Sequence, residues 1–102
     1  MSIVYIAGQI SGDKGYKNKF QRAERYLRGC GCDVILNPAE MLPENMENKH
    51  ALPICMRMIE QADVIFFLPD WSRSPGASIE RLYSLYLEKR VEYLPEEGGK
   101  AK

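Results

Sequence analysis

The chain begins with a β-branched and aromatic run, Ile3-Val4-Tyr5-Ile6-Ala7, that stops at Gly8. A short run that is apolar at consecutive positions predicts a buried strand. Residues 8–15 hold three glycines together with Ser11 and Asp13 and predict a loop. Over 16–28, Phe20, Ala23, Tyr26 and Leu27 recur near helical spacing, and charged residues fill the other positions. That pattern predicts an amphipathic surface helix, ended by Gly29 or Gly31 in the left-handed conformation. Asp33-Val34-Ile35-Leu36 predicts a second strand, stopped by Asn37-Pro38. Residues 39–50 are polar, carry Pro43, and predict an irregular excursion.

Over 51–62, Leu52, Cys55, Met58, Ile59 and Ala62 form a helical stripe, with Pro53 expected in the first turn. Asp63-Val64-Ile65-Phe66-Phe67-Leu68 is the strongest strand, apolar on both faces, as strands inside a parallel sheet are. Residues 69–76 predict a loop. A helix follows over 77–90, with Ile79, Leu82, Tyr83 and Tyr86 as its expected inner stripe. Val91-Glu92-Tyr93-Leu94 predicts a last strand before Pro95.

Strands and helices alternate, with no hairpin signals. The implied fold is α/β: a four-stranded parallel sheet with right-handed crossovers. The size fits a small doubly wound, Rossmann- or flavodoxin-like αβα domain with strand order 2-1-3-4. In such folds ligands sit beyond the carboxyl ends of the strands, where the order reverses. Here that point lies between the first and third strands, which selects the loops at 8–16 and 69–76.

Composition narrows the classes. At 102 residues the chain is one domain, expected over 1–95, with a flexible tail over 96–102. Fourteen basic residues balance fourteen acidic ones, so no broad positive field for nucleic acid is expected. No apolar stretch approaches the roughly 20 residues that span a bilayer, so no membrane partner is expected. The first residues lack a signal-peptide pattern. Three cysteines, Cys30, Cys32 and Cys55, are too few and odd for a disulfide framework. A protein of a reducing, cytoplasmic compartment is the expectation. His50 is alone, and no zinc constellation or other metal site is evident, so neither metal nor cofactor is expected.

The first loop, Gly8-Gln9-Ile10-Ser11-Gly12-Asp13-Lys14-Gly15, lies between a strand and a helix, so its N–H groups can approach an anion. It matches neither the Walker nor the dinucleotide fingerprint, and a tight turn explains its glycines equally well. In the second loop, Ser74 is an N-cap candidate, Pro75 a first-turn residue, and Gly76 lets a ligand approach the backbone. Glu80 follows by four near the helix start, where a carboxylate can act as nucleophile or base. Such a Glu can also simply complement the helix dipole. Asp70 and Trp71 directly follow the third strand. The Asp can position a proton or hydroxyl, and the Trp can stack on a ring. Tyr5, which can equally be a core residue, and Asn37, which can equally cap a turn, are weaker candidates, at the first and second strands. Cys55 reads as a small core residue.

Together these residues resemble a family. Tyr5-Ile6-Ala7-Gly8 with Ser11-Gly12, Asn37-Pro38-Ala39-Glu40, Ala62-Asp63, and Leu68-Pro69-Asp70-Trp71-x-x-Ser74-x-Gly76-Ala77-x-x-Glu80 are similar to a small group of phage and bacterial proteins, a domain of unknown function. That group itself resembles the nucleoside 2-deoxyribosyltransferase superfamily. The resemblance covers about residues 3–94. It implies Glu80 as nucleophile on the anomeric carbon of a deoxyribosyl group; that chemistry needs a group to protonate the leaving base, and Asp70 is the nearest candidate by sequence. The resemblance implies Tyr5 and Gly8 as site-lining residues; Gln9, Ser11, Gly12, Trp71, Ser74 and Gly76 in the two loops, and Asn37 after the second strand, are the further ligand-binding candidates. The covalent glycosyl-enzyme would follow the two-step logic of retaining glycosidases. The implied partner is a small-molecule nucleoside or nucleotide, and the implied assembly a homo-oligomer closing over Trp71, Tyr83 and Tyr86. Transferases carry an Asp eight residues before the Asp that opens the third strand. This chain has Cys55 there. That thiol favours an alternative, a phage-encoded, non-catalytic binder of a nucleotide or an ADP-ribose-like signal. A purely structural domain is the third reading.

Overall fold

The computed structural model describes residues 2–95; the expected tail over 96–102 lies outside them. The elements are β1 (Ile3–Ala7), α1 (Tyr16–Gly29), β2 (Val34–Leu36), α2 (Pro38–Met41), α3 (Asn48–Gln61), β3 (Val64–Phe67), a 3-10 turn (Trp71–Arg73), α4 (Pro75–Tyr86) and β4 (Arg90–Tyr93). The sheet is all parallel, in the order β2-β1-β3-β4. The doubly wound αβα expectation therefore holds, and β1 and β3 lie side by side with Tyr5 opposite Ile65 and Ala7 opposite Phe67.

Alternation along β1 builds two cores. Val4 and Ile6 face Phe20, Ala23 and Leu27 of α1 and Ala39 of α2. Tyr5 and Ala7 face Cys55, Met58 and Ile59 of α3, and Ile65 and Phe67 of β3 share that side. Tyr26, expected on the inner stripe of α1, is exposed instead.

Residues 39–50 are more ordered than expected. Asn37 caps α2 by accepting the Ala39 N–H at 3.0 Å, and Pro38 sits in its first turn. The next helix starts at Asn48, so Pro53 lies inside α3 and not in its first turn. Its ring turns to solvent, and the helix forgoes the one N–H bond that proline lacks.

The last helix departs most from expectation. It starts at Pro75, capped by the Ser74 side chain on the Ala77 N–H at 3.1 Å, and ends at Tyr86, earlier than residue 90. Glu88 then takes φ +61°, and β4 begins at Arg90. The row facing the sheet is Ala77, Glu80 and Ser84, with Tyr83 half-buried beside it. Ile79, Leu82 and Tyr86, expected inward, are exposed, Tyr86 by 81%.

Gly8 follows β1 where Leu68 crosses it. A Cβ there would stand 2.7 Å from Leu68 Cδ1 and 3.0 Å from its Cβ. Gly8→Ala is therefore expected to destabilise by about 1–2 kcal/mol through overpacking, read as a lower urea midpoint. An unchanged midpoint would mean that Leu68 gives way freely.

Candidate functional site

The sheet-facing row of α4 is made of small residues around one acid. Ala77 and Ser84 let the helix sit close to the sheet, and Glu80 between them is carried inward. Ser84 Oγ donates to the Glu80 carbonyl at 2.7 Å, which ties the row to its own helix. The Glu80 carboxylate is buried, with 7% of the residue exposed. Tyr5, from β1, donates its hydroxyl to Glu80 Oε2 at 3.2 Å. Cys55, from α3, completes the cluster.

No basic side chain shares an ion pair with Glu80 among the described residues. Burial therefore pushes its carboxyl from 4.5 up to about 7, and the hydrogen bonds from Tyr5 and Cys55 only partly offset it. Burial, then the Glu80 charge, pushes the Cys55 thiol up to about 12. The same two causes raise Tyr5 well above its ordinary value. The arrangement is one ionisable carboxylate, poised near neutrality, between two neutral donors.

A second polar cluster stands on the other side of the switch point. Asp70 Oδ1 accepts the Gln9 N–H at 3.2 Å, and its other oxygen is ion-paired with Lys19 of α1. Lys19 Nζ also donates to the Gln9 carbonyl at 2.8 Å and to Asp13 at 2.5 Å. The hydrogen bond from Lys19 is the main cause holding the Asp13 carboxyl below its usual range. Asp70 is thus an anchor that joins the loops after β1 and β3. Its contacts run to Gln9 and Lys19, not to Glu80.

The remaining expected residues are dispersed. The Gln9 side chain donates to the Ser11 carbonyl at 3.1 Å, and Ser11 donates to Asn48 at 3.0 Å. Gly12 takes φ +80°, the conformation its loop needs. Trp71 packs edge-on against Phe67, with ring centres 5.9 Å apart, and the Arg81 guanidinium lies 5.0 Å from its ring centre. Asn37 donates to Glu24 at 2.9 Å while capping α2. A side chain on Gly76 would meet only Ser74 Oγ, at 3.9 Å, so nothing in the chain itself requires glycine there.

Tyr5 and Glu80 are brought together; Asn37 and Asp70 serve other contacts. Cys55 joins the first cluster, at the position where the resemblance sets an Asp, and Lys19 joins the second without having been expected there. The spacing of Cys55 from Asp63 was a usable signal, and Lys19 offered none. Hollows of about 420 Å3 and 530 Å3 lie elsewhere, one by Glu24, Arg28 and Asn37, the other along residues 43–50. Neither is lined by Glu80. No group of three or more metal-binding side chains occurs among the described residues, and no helix there is long and apolar enough to cross a membrane.

These features define a small doubly wound αβα domain with a buried acid between its first strand and last helix. The chain belongs to the family described as Domain of unknown function (DUF4406), whose pattern matches residues 2–93. Comparison with curated proteins finds no match.

Proposed function

We propose that the protein acts on the N-glycosidic bond of a nucleoside or nucleotide, with Glu80 as the nucleophile. The observation that carries this reading is the burial of Glu80 against Tyr5 without a cationic partner. A buried carboxylate held by neutral donors costs folding energy, and such groups cluster at functional sites. In the proposed step a Glu80 oxygen bonds to the anomeric carbon. The C–N bond breaks with its electron pair going to the base, which takes up a proton from solvent water. Water or a second base then attacks the same carbon and releases Glu80. Tyr5 orients the carboxylate. Gly76, free of any packing demand, leaves the start of α4 open to the ligand.

Incubation with a panel of deoxynucleosides and deoxynucleotides tests the reading. Free base or exchanged base is expected from at least one, and none from Glu80→Gln. Silence across the whole panel from folded protein overturns it. Cys55 favours a second reading, a non-catalytic nucleotide binder, because its neutral thiol cannot handle a sugar hydroxyl as a carboxylate would. That reading expects a ligand-induced rise in Tm with the ligand recovered intact.

A further inference from the structure

β4 is an outer strand of the sheet, so among the described residues one of its edges has no neighbouring strand. The Leu94 N–H donates to the Phe67 carbonyl at 2.9 Å. In a parallel ladder the residues that turn their N–H and C=O to the neighbour alternate. Residues 90, 92 and 94 therefore bond β3, and Val91 and Tyr93 turn their backbone groups outward.

A second copy related by a two-fold axis can use those groups in three antiparallel pairings. Tyr93 opposite Tyr93 sets Pro95, which has no N–H, against the outward groups of Val91. Val91 opposite Tyr93 sets Glu92 directly against Glu92, a like-charge pair. Val91 opposite Val91 sets Tyr93 against Lys89, whose N–H is already given to the Ser84 carbonyl at 2.9 Å, so the ladder is no longer than in the first pairing; what selects this register is that it sets Arg90 against Glu92 on both sides of the axis. These positions bond β3 in each copy, so across the axis they are the closely spaced, non-hydrogen-bonded pairs. In the single chain Arg90 and Glu92 already pair at 2.8 Å. The two-fold turns that pair into an alternating square of four charges.

We infer that two copies of this chain pair antiparallel along β4, about a two-fold axis at Val91. The α4 helix agrees with that placement. Arg81 donates to the Tyr93 hydroxyl at 2.8 Å, so it marks the side of α4 that turns to the β4 edge. Leu85, four residues on, shares that side and is exposed. An edge-to-edge neighbour covers it. One strand and one helix side make a small interface, so the dimer is weak and concentration-dependent.

Charge exchange tests the register with the full chain. Sedimentation over a wide concentration range is expected to show a doubling of mass for the parent protein. Arg90→Glu and Glu92→Arg are each expected to remain monomeric, because each puts four like charges around the axis. Mixing the two variants restores the dimer, as does the double exchange R90E/E92R in one chain. Val91→Pro removes an outward N–H, leaves β4 bonded to β3, and is expected to abolish the dimer with the circular dichroism spectrum retained. A parent protein that stays monomeric throughout overturns the inference. So does a dimer that ignores both exchanges and Val91→Pro, since it would be built on another face.

Discussion

Glu80→Gln is expected to stabilise the protein at pH 8, to destabilise it by about 1–2 kcal/mol near pH 4, and to abolish turnover at every pH. The folded carboxyl sits near 7 against an ordinary 4.5, and burial is the main cause. A raised acid favours the fold while protonated in both states. Its contribution is full below 4.5, declines as pH rises from 4.5 to about 7, and stays lost above that. The displacement corresponds to about 3 kcal/mol at 1.36 kcal/mol per pH unit. Glutamine does not ionise, and its carbonyl oxygen can still accept the Tyr5 hydroxyl. Its amide N–H groups need acceptors in a buried place, which takes back about 1–2 kcal/mol. The expected net gain is about 1–2 kcal/mol at pH 8, read from urea midpoints of the two proteins at both pH values. A variant equally destabilised at both would show that the carboxylate carries no desolvation cost.

The same value fixes a kinetic expectation. A nucleophile must be ionised, so any turnover should rise with pH through about 7 and then level off. A rate already flat from pH 5 upward would mean that the attacking group is not this carboxylate. Stability and rate thus move in opposite directions over one pH interval. Burial alone produces the stability trend, so only the rate trend reports an attacking carboxylate.

How much of this was legible beforehand depends on the kind of contact. β1 and β3 were legible because burial on both faces leaves continuous apolar runs, and the strand order followed from strict alternation with helices. The caps at Asn37 and Ser74 rest on local chemistry and were both legible, Ser74 as a helix N-cap and Asn37 as the cap of a turn. The rotational setting of α4 was not legible. Choosing the largest apolar residues picks Ile79, Leu82 and Tyr86 as the inner row. The helix instead sits close to the sheet on Ala77 and Ser84, and close approach selects small residues over large ones. That same rotation carries Glu80 inward.

The site was half legible for the same reason. The topological rule pointed to the right helix start, and the resemblance named Tyr5 and Glu80 separately. Their hydrogen bond joins residues 75 positions apart and depends on the setting of α4, which no local pattern encodes. Asp70 shows the opposite case. Its place after β3 was read correctly, but its partner Lys19 sits on a helix whose sequence reads as an ordinary charged face. A lysine beside the apolar row there looks solvated until the loop after β1 folds over it.

Lys19→Met is expected to destabilise the protein by about 3 kcal/mol at neutral pH, because it leaves Asp70 buried and charged without its cation. Methionine keeps the length and the packing of the aliphatic stem, so the loss reports the charge. The double variant Lys19→Met/Asp70→Asn is expected to recover much of the loss, since it removes the stranded anion as well. The acid limb should change too. Asp13 is held below 3.8 chiefly by its hydrogen bond from Lys19, so it contributes stability above 3.8 that is lost as pH falls through its lower folded value. Without Lys19 that acid sensitivity should fade, while the trend between 4.5 and 7 set by Glu80 persists. The two clusters lie on opposite faces of the sheet, so their pH signatures should add independently in unfolding curves. If Lys19→Met erased the Glu80 trend as well, the loops after β1 and β3 would have to hold Glu80 in place. The anchor and the buried acid would then form a single cooperative unit.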